Sequence, residues 1–319
     1  MAVPGFCGGG SRSVSAHVNP TVGRRRVGAE FRKLRMSRGL TAQQVAKQLL
    51  VSQAKISLLE NGRRRVSSRD VRDLCEVYQV EDPHLVETLM RMAEESGQSG
   101  RWNAYGYIPH SAYLDLENDA SAIHCYESLV IPELLQTPAY ARAVIAGTIP
   151  HARPEQIHTW VHVRLLRQKR VDDLDRPLRL WVVLDESALL RVVGDGEVMR
   201  EQLERLLDFY IRPHVTVQIF PHHGGAHPGM AGPFTIVRFA EASDRSIVFL
   251  EGLTSDLHLD KPSDVERFEV IHERLQARAL DPAASRQLIT DAIKFHIGAE
   301  SNGYTHRHVP PAPARPGGA

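Results

Sequence analysis

Residues 41–61 read TAQQVAKQLLVSQAKISLLEN, and their apolar and capping residues predict two short helices meeting at a tight turn. The first spans 41–49, the turn takes Leu50 and Val51, and the second spans 52–61. Thr41 stands where an N-cap is needed, with Gln44 three residues on to complete a capping box, and Ser52 is the N-cap of the second helix. Val45, Leu49, Val51, Ile56 and Leu59 give each helix one apolar face, and the two faces point at each other. Ala46 is small enough for the second helix to cross closely over the first.

This pattern resembles a DNA-binding helix-turn-helix, whose second helix lies in the major groove. Residues 29–78 as a whole are similar to the Cro-like, xenobiotic-response-element repressor family. The shared motifs are LR-x-x-R-G-L-T, V-S-Q-x-K-I-S and L-E-N-G. On the first turns of the second helix, Gln53, Ala54, Ser57 and Leu58 are expected to face base edges: Gln pairs bidentately with adenine and Ala touches a thymine methyl. Thr41, Gln43, Lys55, Asn61, Arg63, Arg64 and Arg65 are expected to meet phosphate. The resemblance further implies a structural ion pair between Arg35 and Glu60, against the alternative of two independent surface charges. This copy departs from the family at Leu50, where Gly is usual, at Ala42, where Gln is usual, and at Leu58, often Arg. A non-Gly residue in a left-handed turn costs about 1–2 kcal/mol.

The charge distribution agrees. The 319-residue chain has a net charge of +1. Residues 24–78 alone hold 14 Lys and Arg against 5 Asp and Glu, a net of +9, leaving −8 for the rest. A basic module joined to an acidic one points the basic part at a polyanion. No run of about 18 apolar residues predicts a membrane span, and no apolar leader core opens the chain. Cys7, Cys75 and Cys125 are odd in number and widely spaced, which suggests reduced thiols in a cytoplasmic protein and no disulfide frame or zinc site. The DNA-binding resemblance adds the expectation of nucleoid association, and no cofactor is expected.

Taken in order, residues 1–22 read as a disordered tail. Arg24, Arg25 and Arg26 read either as an arm reaching phosphate or as a solvated charge run. The DNA-binding domain is expected over 23–98 as an all-α unit of about five helices: 27–37, the two of the helix-turn-helix, one capped by Ser67, and 83–96. GQSG at 97–100 signals a linker. A second domain is expected over 101–298, followed by a disordered tail over 299–319. Its predicted helices are 119–127, 138–146, 154–171, 196–211, 262–280 and 282–296. Its predicted strands are 178–184, 215–220, 234–239 and 246–251. Blocks of helices and strands, not strict alternation, predict α+β with a mostly antiparallel sheet.

This second part resembles an uncharacterised domain found behind such a helix-turn-helix in actinobacterial regulators. The resemblance rests on YESLVIPELLQTPAYARAVI at 126–145, RLLRQ at 164–168, LDESALLR at 184–191, REQLERLL at 200–207, GPFTIVRF at 232–239 and FLEG at 249–252. Glu133 stands where the family favours Gly. The resemblance implies a sensing or partner-binding module and no reaction. Glu127, Gln136, Arg164, Gln168, Glu186, His227 and Glu251 are its candidate ligand or partner residues. Three histidines, His222, His223 and His227, invite a metal, but their spacing matches no common site, and a mobile glycine-rich loop is the favoured reading. Glu127, Asp185, Glu186 and Glu251 offer paired carboxylates, for which helix N-terminal charge is the simpler account. Arg164, Arg167 and Arg170 read as an anion clamp or, preferentially, an ion-pair row. The sequence contains no G-x-x-x-x-G-K-[ST], G-x-G-x-x-G or G-x-S-x-G.

Together these features predict a non-enzymatic, sequence-specific transcriptional regulator, a homodimer on an inverted-repeat operator, joined through residues beyond Arg101. Its second domain is expected to receive a protein or small-molecule signal. Two alternatives stay open: an antitoxin-like autorepressor that neutralises a small cognate partner, and a DNA-tethered enzyme.

Overall fold

The structure is a computed structural model that describes residues 22–97, Trp102, 105–173, 175–241, 244–253 and 255–301. The chain forms two compact units, Met1–Ser99 and Gly100–Ala319. Of the expected tails over 1–22 and 299–319, residues 1–21 and 302–319 lie outside the described residues, as do 98–100 of the linker signal, whereas Val22 opens α1 and 299–301 close α12.

The first unit contains α1 (Val22–Ser37), α2 (Ala42–Gln48), α3 (Gln53–Glu60), α4 (Ser68–Val77) and α5 (Pro83–Gly97). Its core joins Val27 and Phe31 of α1, Val45 and Ala46 of α2, Ile56 and Leu59 of α3, Leu74 and Tyr78 around α4, and Leu89 of α5. Thr41 and Gln44 close a capping box on α2, and Ser52 caps α3. Leu50 takes the left-handed conformation that its turn requires, with φ 53°, and lies 93 % exposed. That residue therefore carries the steric cost with no burial in return.

One expectation is corrected here. The first helix begins at Val22, ahead of 27, so Arg24, Arg25 and Arg26 stand on a helix and do not form an extended arm. Two glycines make the packing of α1 on α3 possible. A Cβ on Gly28 would lie 2.4 Å from the carbonyl oxygen of Leu59, and one on Gly62 would lie 2.8 Å from the backbone nitrogen of Arg25. Gly62 also takes φ 66° just past α3, the usual role of glycine after a helix.

The second unit is α+β. Its helices are α6 (Ser111–Asp119), α7 (Pro138–Thr148), α8 (Pro154–Gln168), α9 (Ser187–Leu190), α10 (Gly196–Asp208), α11 (Pro262–Arg278) and α12 (Pro282–Ser301). Its strands are β1 (Ala122–Glu127), β2 (Arg179–Asp185), β3 (Val215–Phe220), β4 (Phe234–Arg238), β5 (Ile247–Leu250) and β6 (Leu257–Leu259). They form one sheet in the order β3-β2-β1-β4-β5-β6. Three of its five pairings are antiparallel, but β1, β2 and β3 run parallel. The expected helix over 119–127 is wrong: that stretch is the end of α6 followed by β1, a central strand of the sheet. α12 also runs past the expected boundary at 298.

The sheet is covered on both faces. Tyr126, Val183, Phe220 and Phe234 pack with Phe268 and Ile271 of α11 on one of them. The edge of β3 is covered as well: the Ile219 N–H donates to Ser285 Oγ at 3.0 Å, and Leu280 N–H donates to the Ile219 carbonyl at 2.9 Å. An edge satisfied in this way is blunted against pairing with a foreign strand.

Candidate functional site

In the first unit, α3 separates a held side from an open side. Ile56, Leu59 and Glu60 are buried, whereas Gln53, Ala54, Ser57 and Leu58 are exposed. The four open residues share one stripe of the helix surface. Asn61 Nδ2 donates to Ser57 Oγ at 3.3 Å along the same stripe. At the rear, Arg35 donates from Nε to Glu60 Oε1 at 2.6 Å, from Nη2 to Oε2 at 2.9 Å, and from Nη1 to the Leu40 carbonyl at 2.7 Å. The expected pair is therefore a bidentate bridge, and the hydrogen bond to Glu60 raises the Arg35 pKa above its ordinary value.

Besides Asn61, two more of the expected phosphate contacts are already engaged within the protein. Lys55 Nζ lies 2.7 Å from Asp70 Oδ1. Burial works to raise the Asp70 carboxyl, but hydrogen bonds from Lys55 and Ser67 outweigh it and hold the group below the usual range. The Thr41 hydroxyl accepts the Gln44 N–H at 3.2 Å and donates to Gln44 Oε1 at 2.9 Å. Gln43, Asn61, Arg63, Arg64 and Arg65 are exposed.

In the second unit the candidate residues gather at the carboxyl ends of the parallel strands, where ligands of open α/β sheets bind. Strand alternation divides them between the two faces. On the side of Glu127, Arg167 binds Glu117 through Nε at 2.7 Å and Nη2 at 2.6 Å, with Nη1 bonded to Glu133. Arg164 pairs with Glu133 and donates to Gln136 Oε1 at 2.8 Å. Gln168 Nε2 donates to the carbonyls of Glu133 and Gln136 at 3.0 and 2.8 Å. Arg170 approaches Asp173 at 3.8 Å. The arginine row is thus an ion-pair row, and Glu133, where the resemblance favours Gly, receives two of its members.

Burial raises the Glu133 carboxyl, but Arg164 and Arg167 outweigh it and bring the pKa to about 2. Glu127 is the opposite case. Burial, with the nearby charges of Glu251 and Glu133, pushes its pKa up to about 8. Glu251 lies 3.2 Å from His110 Nε2, and Asp256 lies 2.7 Å from His110 Nδ1. Burial works against charge on His110, but the two acids outweigh it and raise its pKa to about 9.

On the α11 face, Asp185 ends β2 among polar groups. Tyr126 donates to its Oδ2 at 3.4 Å and the Ser187 N–H donates to its Oδ1 at 2.9 Å. His227 Nε2 lies 3.7 Å from Oδ2, with its ring against Phe220 at 4.2 Å between centroids. Burial lowers the His227 pKa, and Asp185 opposes that shift. His222 Nε2 is 2.9 Å from Ser187 Oγ. The Glu186 carboxylate accepts the His222 backbone N–H at 2.7 Å. Among the described residues no three His, Cys, Asp or Glu converge as a metal-ligand set. The glycine-rich loop over 221–233 forms two 3-10 turns, and Arg278 donates to the carbonyls of Gly224 and Ala226 at 2.5 and 3.0 Å.

Comparisons with known proteins agree with this division. Residues 26–89 match the family model described as Helix-turn-helix domain. Residues 110–291 match the Domain of unknown function (DUF5753). The chain belongs to the DUF5753 family. A helix-turn-helix domain followed by this domain makes the chain a DNA-binding transcription regulator. Among solved structures, the clp gene regulator ClgR from C. glutamicum is 29 % identical over 24 % of this chain and 95 % of its own, with a TM-score of 0.20. No curated protein matches the chain. Among the described residues no helix is long and apolar enough to cross a membrane.

The DUF5753 domain brings Glu127, Gln136, Arg164, Gln168 and Glu251 to one side of its carboxyl edge and Glu186 and His227 to the other. Reading the sequence overlooked Ser187, His110, Asp256 and Glu117 as members of these groups. Ser187 and His222 are 35 positions apart, and only the parallel pairing of β2 with β3 makes them neighbours.

Proposed function

We propose that this regulator reads a specific inverted-repeat operator as a homodimer in the cytoplasm. In this reading the DUF5753 domain receives a protein or small-molecule signal, and the output is occupancy of DNA, without catalytic turnover. The observation that carries it is the two-sided α3: a read face of Gln53, Ala54, Ser57 and Leu58, and a rear bolted by Arg35 and Glu60. Helix-turn-helix dimers engage half-sites about 34–36 Å apart. The basic units of two copies repel, so the dimer contact is assigned to residues beyond Arg101. Leu58 in place of the Cro-like family's frequent Arg gives an operator different from that family's usual one.

Selection from randomised DNA with the full chain tests the reading. A palindromic consensus is expected, and Gln53→Ala is expected to lose about 1–3 kcal/mol of discrimination at one base pair per half-site. An unchanged consensus in that variant would remove Gln53 from base readout. Sedimentation of the full chain without DNA tests the dimer, and a monomer at micromolar concentration would sink it.

A further inference from the structure

We propose that Ser187 is an acyl acceptor. Its hydroxyl, activated by His222, takes an acyl group from an activated ester or thioester, and the acyl-serine is the form in which the domain holds its signal. This rests on the reading of the DUF5753 domain as a receiver and names the chemistry of reception.

The geometry comes from two neighbouring parallel strands. Ser187 begins α9 immediately after β2, with its N–H fixed by Asp185 Oδ1 at 2.9 Å. His222 follows β3, and the Glu186 N–H to Phe220 carbonyl bond of 3.0 Å ties the two strand ends together. A serine hydroxyl is a weak nucleophile until a base lies within about 2.6–3.2 Å and a third group orients that base. Ser187 Oγ and His222 Nε2 are 2.9 Å apart. Glu186 Oε2 binds the backbone N–H of His222 at 2.7 Å and lies 3.7 Å from its Nδ1. Asp185 Oδ1 lies 3.8 Å from Nε2 on the other side of the ring; with the ring proton on Nδ1, Nε2 accepts from serine. The His222 side chain is 51 % exposed, so a ligand reaches the pair from solvent.

In the step itself, Ser187 Oγ attacks the carbonyl carbon of the ligand. The new Oγ–C bond forms as the bond from that carbon to the leaving oxygen or sulfur breaks. The serine proton passes to His222 Nε2 and then to the departing alkoxide or thiolate. No oxidant or reductant is required. Ser187 and His222 are the reacting groups, and Glu186 is a positioning residue.

The test treats the full chain with p-nitrophenyl acetate and, separately, with a fluorophosphonate probe, and maps adducts by mass spectrometry. One adduct per chain is expected, on Ser187, lost in Ser187→Ala. His222→Gln is expected to form it about 100-fold more slowly, the contribution of a positioned general base. Mapping the adduct on the unaltered chain needs no variant, and a melting temperature confirms that each variant is folded. No adduct, an adduct only elsewhere, or an undiminished rate in folded His222→Gln would overturn the proposal. Operator affinity of the acylated chain separates the two readings. An adduct that leaves affinity unchanged keeps the chemistry and removes its role in reception. Absence of an adduct removes the chemistry and leaves reception by other ligands standing.

Discussion

Arg35 of α1 and Glu60 of α3 stand 25 positions apart and meet through two hydrogen bonds of 2.6 and 2.9 Å, with side chains only 13 % and 7 % exposed. Removing one partner strands the other as a buried charge, at a cost of about 3–5 kcal/mol. Arg35→Ala is therefore expected to destabilise the helix-turn-helix unit by about that much and to weaken DNA binding, although Arg35 touches no base. The double variant Arg35→Ala/Glu60→Ala is expected to lose less than the two single losses combined. Denaturant titrations of the four chains check this, and additive losses would show two independent charges.

Arg63, Arg64 and Arg65 are exposed just beyond α3. Neutralising any one of them is expected to weaken binding to all DNA sequences alike. It is also expected to reduce the slope of log affinity against log salt by about 1. Binding isotherms at several salt concentrations measure that slope, and a slope equal to the unaltered chain's would leave the arginine as a solvated bystander.

Arg167 and Glu117 are each 4 % exposed and joined bidentately. Arg167→Met leaves Glu117 buried without its partner and is expected to cost about 3–5 kcal/mol. Arg167→Met with Glu117→Met replaces the pair by apolar groups and is expected to recover most of that loss. A double variant no better than the single one would show that the network, not the charge balance, holds α8 against the 133–137 segment.

His110 and Glu127 give the DUF5753 domain a one-directional response to alkaline pH. The His110 pKa is raised to about 9, so its ion pairs are fully present below about 6.5 and are lost as pH rises through 9. Glu127 is held protonated up to about 8 while an unfolded glutamate ionises near 4.5, so stability also falls across that interval. Thermal unfolding from pH 5 to 10 is expected to decline continuously. His110→Gln is expected to flatten the upper part of the profile, and Glu127→Gln the lower. A profile unchanged by either substitution would reject the assignment.

Features set by neighbours in the chain were legible before the fold was known. The Thr41–Gln44 capping box, the Ser52 cap and the strained Leu50 turn each depend on a few consecutive residues. Strand β1 was not legible, for a physical reason. It is central and covered on both faces, so Ala122, Ile123, Cys125 and Tyr126 are all buried. Their spacing imitates a helical stripe because the polar alternation of a half-exposed strand is missing. The three-residue edge strand Leu257–Leu259 is too short to carry a periodicity. At the site, the Arg35–Glu60 pair was reached through family resemblance. The groups around Asp185 and Glu127 depend on strand order, which no local pattern encodes. Glu133 shows the limit most directly: a departure from the resembling family, it proves to be the meeting point of Arg164 and Arg167.

The two sides of α3 share no residue. Gln53, Ala54, Ser57 and Leu58 look outward, while Ile56, Leu59 and Glu60 are gripped from behind by Arg35 and by the close approach of Gly28. If these four residues read the operator as proposed, the lettering of the protein's address on the chromosome is detachable from the scaffold that carries it. Four surface positions are free to drift under selection for a new operator while the helix keeps its seat. On that reading, descendants of one duplicated copy would need to exchange only those letters to govern different genes while retaining the same DUF5753 domain.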